Sequence, residues 1–166
     1  LLTDLLGEEN QPRMDSVILK TMVSVDKFIN PYPEDGGCDE GPGYWSMAGG
    51  ALIGYLSQLK SATKGAVDIA SQPLIGKMGQ FIYDANIDRN YFVNYGDAHA
   101  TVTPNVIAVY GFRDACKNDT LKQFAAWFAK EGGDVYSYLY GASNALERFV
   151  DYLSVYKDIQ NTKPVQ

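Results

Sequence analysis

From Met14 onward, apolar residues return at Ile18, Met22, Val25 and Ile29, an interval that sets them on one face of a helix. Asp15 or Ser16 offers a cap for this helix and Pro31 a stop. Residues 31–43, PYPEDGGCDEGPG, hold three prolines and four glycines in thirteen positions and read as a loop. A second helix is predicted from Tyr44 to about Ser61, because Trp45, Ala48, Leu52, Tyr55 and Leu59 keep the three-four step. Gly49, Gly50 and Gly54 interrupt it, each costing about 1 kcal/mol against Ala, and are expected to admit a neighbouring helix.

Ser71 and Pro73 form a cap and first-turn pair for a third helix with Leu74, Met78, Phe81 and Ile82 facing inward. The stretch NYFVNYGDAHATVTP, residues 90–104, alternates polar and apolar positions and reads as a short extended segment and loop. Thr103 and Pro104 repeat the cap signal for a fourth helix bearing Val106, Ile107, Tyr110 and Phe112. A fifth is expected from Asp119 or Thr120, packing Leu121, Phe124, Ala125 and Phe128 and ending at Gly132-Gly133. The sixth starts near Ser143 and uses Leu146, Phe149, Val150 and Leu153, followed by a polar, loose tail, QNTKPVQ.

Six helices without βαβ alternation predict an all-α fold of antiparallel helical hairpins. Three successive hairpins can stack as part of a solenoid or an α/α toroid. At 166 residues the chain is long enough for one domain with its own core. It opens on Leu1-Leu2-Thr3-Asp4, with neither Met nor a signal-like segment, and is expected to be a fragment or a processed chain.

Charge narrows the partners. Fourteen Lys and Arg against twenty Asp and Glu give a net charge of −6, with the cations scattered, which argues against a duplex-DNA binder. No run approaches the roughly 20 apolar residues of a membrane span. Cys38 and Cys116 fit no metal-ligand spacing, and two unrelated thiols are expected rather than a disulfide. Aromatic residues make up 13% of the chain, many beside Gly, Asn and Asp. Carbohydrate-binding surfaces have that composition, as do helical cores.

The phosphate-loop, zinc-protease, nucleophile-elbow and dinucleotide motifs are absent. With His99 as the single histidine, no His-rich metal cluster forms within the chain. Chemistry is concentrated in two loops, one with Asp35, Asp39, Glu40 and Tyr44, the other with Tyr95, Asp97 and His99. Glycine lets backbone approach a ligand while acids and a tyrosine at a helix start point into one opening. A plainer account is that Asp35-Gly36 is a turn, Glu40 an acid favoured by the helix dipole, Tyr44 and Trp45 core aromatics, and His99 a surface residue.

Residues 32–45, YPEDGGCDEGPGYW, resemble the D-G-x-x-x-E-G-x-x-Y signature of heparinase II/III-like polysaccharide lyases, with Asp35, Gly36, Glu40, Gly41 and Tyr44 in register. The flanking helices, the N-Y-G-D segment at 94–97 and a closing helical pair extend the resemblance over most of residues 14–157. It implies the second half of an α/α toroid in a larger multi-domain enzyme that is periplasmic or extracellular. It further implies β-elimination on a uronic-acid polysaccharide. A base removes the proton beside the carboxylate, an acid protonates the departing glycosidic oxygen, and hydrogen bonds neutralise the carboxylate.

By the resemblance, Tyr44 is the catalytic tyrosine, Glu40 orients the loop or a sugar hydroxyl, and Tyr32 and Trp45 form a stacking wall. His99 joins Tyr44 and Glu40 as a catalytic candidate, and Asp35, Asn94, Tyr95 and Asp97 join the wall as substrate contacts. The family's carboxylate-quieting Asn or His belongs to a helix before Leu1, and its β-sandwich, with a histidine and a structural metal, to sequence after Gln166. No metal or cofactor is therefore expected within these residues. An acidic polymer needs local cations, for which Lys60, Lys64, Lys77 and Arg89 are the candidates. Two other classes remain open: a toroid glycoside hydrolase using Asp35 with Glu40 or Asp97, and a non-catalytic glycan-binding protein on the same scaffold.

Overall fold

A computed structural model of the protein describes residues 10–116, 119–130, 153 and 155–164. Among them the chain is mostly helical, with α1 Gln11–Ile29, α2 Pro42–Ala62, α3 Pro73–Asp84, α4 Val106–Gly111, α5 Arg113–Cys116 and α6 Thr120–Lys130. An antiparallel pair, β1 Asn86–Asp88 and β2 Tyr91–Phe92, supplies the only sheet described, and residues 155–161 are helical. The all-α expectation holds at this level.

The inward faces follow the sequence period. On α1, Met14, Ile18, Met22, Val25 and Ile29 are its less exposed apolar residues. On α6, Leu121, Phe124, Ala125 and Phe128 are buried as expected. Helix starts differ more. Asp15 and Ser16 do not cap α1, which begins four residues earlier with Pro12 in its first turn. Pro42 opens α2 and Pro73 opens α3, with Gln72 rather than Ser71 at the cap position. At α4 the cap is Asn105, whose side chain accepts from the amides of Ile107 and Ala108, because an amide oxygen there reaches two orphan N–H groups.

The core is organised around Phe112. Fully buried at the end of α4, it lies 5.5 Å from the Trp45 ring of α2 and fills the space left by Gly79 of α3, where a Cβ would stand 2.6 Å from the Phe112 Cβ. Gly50 faces Ala108 of α4, and Gly49 faces Trp45 and Phe112. A Cβ at Gly54 would meet nothing within 4 Å among the described residues, so the expected helix contact is corrected at that position. A second aromatic layer joins Phe124 to Tyr83, Trp127 and Phe128, and Phe128 to Phe92 of β2.

The segment 155–161 docks through Ile159, which is buried, and Asp158, which accepts from the Tyr110 hydroxyl and pairs with Lys122 at 3.0 Å. The Tyr110 hydrogen bond, then the one from Lys122, hold the Asp158 carboxyl below its ordinary range. The start of the expected loose tail is thus helical. Leu153, expected to face inward, is 54% exposed. Gly132-Gly133, Ser143, Leu146, Phe149 and Val150 lie outside the described residues. Cys38 is a buried free thiol.

The glycine contacts give a paired prediction. Gly79→Ala should destabilise by roughly 1–3 kcal/mol, because the Cβ of Phe112 cannot swing away as a side-chain tip would. Gly54→Ala should instead stabilise by up to about 1 kcal/mol, since it adds helix propensity into open space. Thermal unfolding of the two variants checks both signs, and the reverse order would refute the packing argument.

Candidate functional site

Two tight turns carry the candidate residues. In the first, the Gly36 amide donates to the Pro33 carbonyl at 2.9 Å and the Gly37 amide to Asp35 Oδ1 at 2.9 Å. A second turn follows at once, closed by the Gly41 amide on the Cys38 carbonyl at 2.8 Å, with Asp39 and Glu40 at its tip. Pro42 then opens α2, so Tyr44 lies in the first helical turn. The other loop springs from the sheet: Phe92 donates to the Ala100 carbonyl, and the Ala98 amide closes a turn on the Tyr95 carbonyl at 3.2 Å.

These loops interlock backbone to backbone. The Asp97 amide donates to the Glu40 carbonyl at 3.1 Å. Gly41, at φ 85°, lies so close to the Tyr95 carbonyl that no Cβ would fit, and Gly96, at φ 59°, would set a Cβ 2.8 Å from the Glu40 carbonyl carbon. Both positions combine a left-handed backbone with a contact that excludes a side chain, which is why glycine occupies them. The Tyr95 hydroxyl completes the joint, donating to the Cys38 carbonyl at 2.8 Å.

The joint brings Glu40, Tyr44, Asn94, Tyr95, Asp97 and His99 to two adjoining loops, with all six side chains exposed. Tyr44 is 40% exposed, with Gly43 against Ala98 of the second loop. Asp35 is also exposed, but its carboxylate is engaged in the local turn. The aromatic wall is corrected. Trp45 has 0% exposure and its indole N–H donates to the Met78 carbonyl at 2.7 Å, so it presents no face to a sugar. Tyr32 is half-buried, edge-on to Phe28, and its hydroxyl is enclosed.

Of the candidate cations, Lys77 reaches the first loop, its ammonium donating to the Glu34 carbonyl at 2.8 Å. Lys60 pairs with Asp68 at 2.7 Å near the far end of α2, about 27 Å along the axis from Pro42. Lys64 lies beyond that end, and Arg89 occupies the turn between β1 and β2. The sequence reading did not assign Cys38 a part in the site, yet its carbonyl is where both loops meet. No motif signals a backbone acceptor of this kind. Among the described residues no group of His, Cys, Asp and Glu is arranged to hold a metal ion, and no helix is long and apolar enough to cross a membrane.

No family model matches the chain, and no curated protein matches it significantly.

At the joint the hydroxyls of Tyr32 and Tyr95 differ from an ordinary phenol. Desolvation, then the neighbouring Cys38 thiol, pushes the Tyr32 hydroxyl well above the usual tyrosine value, and desolvation raises Tyr95 as well. A phenol that holds its proton more tightly when folded contributes stability that is complete below the unfolded value, about pH 10, and is lost as pH rises beyond it. Among the described residues the Tyr32 hydroxyl makes no well-formed hydrogen bond and has the Cys38 thiol, a weak partner, beside it, and a buried group so placed costs about 1–3 kcal/mol. Tyr32→Phe should therefore unfold no lower than the parent at neutral pH and lose less stability above pH ~10. Melting curves from neutral to alkaline pH measure both, and a variant clearly less stable at neutral pH would contradict the account.

Proposed function

We propose that the chain is the catalytic-toroid part of a heparinase II/III-like lyase that cleaves a uronic-acid polysaccharide by β-elimination, with Tyr44 as general acid and base. The observation that carries this reading is the joint itself. The loop bearing Glu40 and Tyr44 meets the N-Y-G-D segment across a separation of 57 residues, so the two stretches of the resemblance adjoin in space. Tyr44 is exposed at the helix start beside that joint, where a phenol is accessible to a polymer. Glu40 and His99 stand with it as catalytic candidates, and Asp35, Asn94, Asp97 and the ring of Tyr95 as sugar contacts.

In this reading the helical hairpins are antiparallel and belong to an incomplete toroid. The substrate is an acidic polysaccharide met in the periplasm or outside the cell. The carboxylate beside the abstracted proton needs hydrogen-bond donors, without which the carbanion-like state is too costly. Lys77 brings a cation to the loop from α3. A structural metal, if the enzyme uses one, belongs to a β-sandwich rather than to these helices.

The carboxylates of Asp35, Glu40 and Asp97, gathered on the joined loops, favour a second reading, a glycoside hydrolase working through two acids. The products distinguish the two. With the full-length protein and a panel of uronate polymers, the lyase releases unsaturated ends that absorb in the ultraviolet, and Tyr44→Phe should lower that rate by roughly 10²–10⁴ with folding unchanged. New reducing ends without unsaturation, abolished by Glu40→Gln and kept in Tyr44→Phe, would select the hydrolase. Glycan binding without turnover would leave a binding protein on this scaffold.

A further inference from the structure

The Cys38 carbonyl accepts two hydrogen bonds, from the Gly41 amide of its own turn at 2.8 Å and from the Tyr95 hydroxyl at 2.8 Å. A carbonyl oxygen has two lone pairs, so this acceptor is saturated within the protein. The turn it closes is the one that sets Glu40 and leads through Pro42 into Tyr44. Tyr95 is itself braced: its ring stands edge-on to Phe81 of α3 with centroids 6.4 Å apart, and its carbonyl takes the Ala98 amide. At the other end of the same loop, the Lys77 ammonium holds the Glu34 carbonyl. The segment 34–41 is thus pinned at two backbone carbonyls by side chains from later in the chain, and the Tyr95 clasp is the nearer one to Tyr44.

We propose that Tyr95 is a positioning residue, its hydroxyl committed to the Cys38 carbonyl so that the turn carrying Glu40 delivers Tyr44 in one fixed orientation, and not to a sugar. Its effect on turnover rests on the lyase reading, whereas its effect on the loop does not. Tyr95→Phe removes only the clasp, because the ring can keep its place on Phe81.

Two measurements on the full-length protein test it. Amide hydrogen exchange over residues 38–44 should quicken about 5- to 10-fold in Tyr95→Phe, the consequence of losing one hydrogen bond. Lys77→Met should instead quicken exchange over residues 34–37 and leave residues 38–44 closer to the parent. In steady-state kinetics, Tyr95→Phe should lower kcat roughly 10- to 100-fold by misplacing Tyr44 while KM stays near the parent value. Unchanged exchange at 38–44 would overturn the clasp whatever the activity, and a raised KM with kcat retained would show that the hydroxyl binds substrate. A full-length protein that eliminates no uronate polymer would sink the lyase reading, and the exchange result would still decide the clasp.

Discussion

Trp45 is inserted between α3 and the end of α4, its indole N–H on the Met78 carbonyl at 2.7 Å and its ring against Phe112. One residue further along, Ser46 accepts from the Asn105 amide at 2.9 Å, where α4 begins. These contacts fix the rotation of the first turn of α2 against two other helices. Neighbouring residues on a helix project about 100° apart, so burying Trp45 turns Tyr44 away from the core. The exposure of the candidate catalytic tyrosine is therefore a consequence of core packing. Removing the indole would disturb the site without touching a residue that meets a substrate.

The interlocked loops add a different kind of constraint. Helix packing sets the direction of Tyr44, but the backbone entering the helix has its own freedom, and that freedom is removed at Gly41, Gly96 and the Cys38 carbonyl. Little apolar area holds these loops, since most of their residues are exposed. Their order comes from hydrogen bonds and from backbone contacts too close for a side chain, whose net worth is modest one by one. A site built this way can keep its polar groups in water while still being defined in shape.

Much of the scaffold was legible because burial has a period. The inner faces of α1 and α6 could be read residue by residue, and so could the proline start of α3, whereas Pro42, read as part of the loop, opens α2 two residues before the expected Tyr44. Caps were harder, since Asn105 and Thr103 carry equally good acceptors and only the path of the chain decides between them. Adjacent aromatics drew two readings. At Tyr44-Trp45 the three-four step sets Trp45 on the inner face, where it packs beside Phe112, while the resemblance assigns the same ring to a sugar wall. The joining of residues 38–41 to 95–97 has no periodic signature at all. Glycine at 41 and 96 is its sole trace in the sequence, and many turns leave the same trace.

Electrostatics sets the demand that the lyase reading must meet. Asp35, Asp39, Glu40 and Asp97 crowd the joined loops, and ionised carboxylates accept hydrogen bonds without donating any. A uronate brought there meets like charge, which costs more as water is displaced and the local dielectric falls. Tyr44, at the start of α2, and Asn94 and His99 of the second loop are exposed side-chain donors there, and Lys77 approaches from the α3 side with one ammonium proton already given to the Glu34 carbonyl. A β-elimination centred on Tyr44 therefore needs its substrate carboxylate turned away from the acidic tips and toward donors on another element. The acids then face the sugar hydroxyls, which can donate to them. In the lyase reading that orientation would make the negative charge a means of selecting which edge of the sugar faces Tyr44.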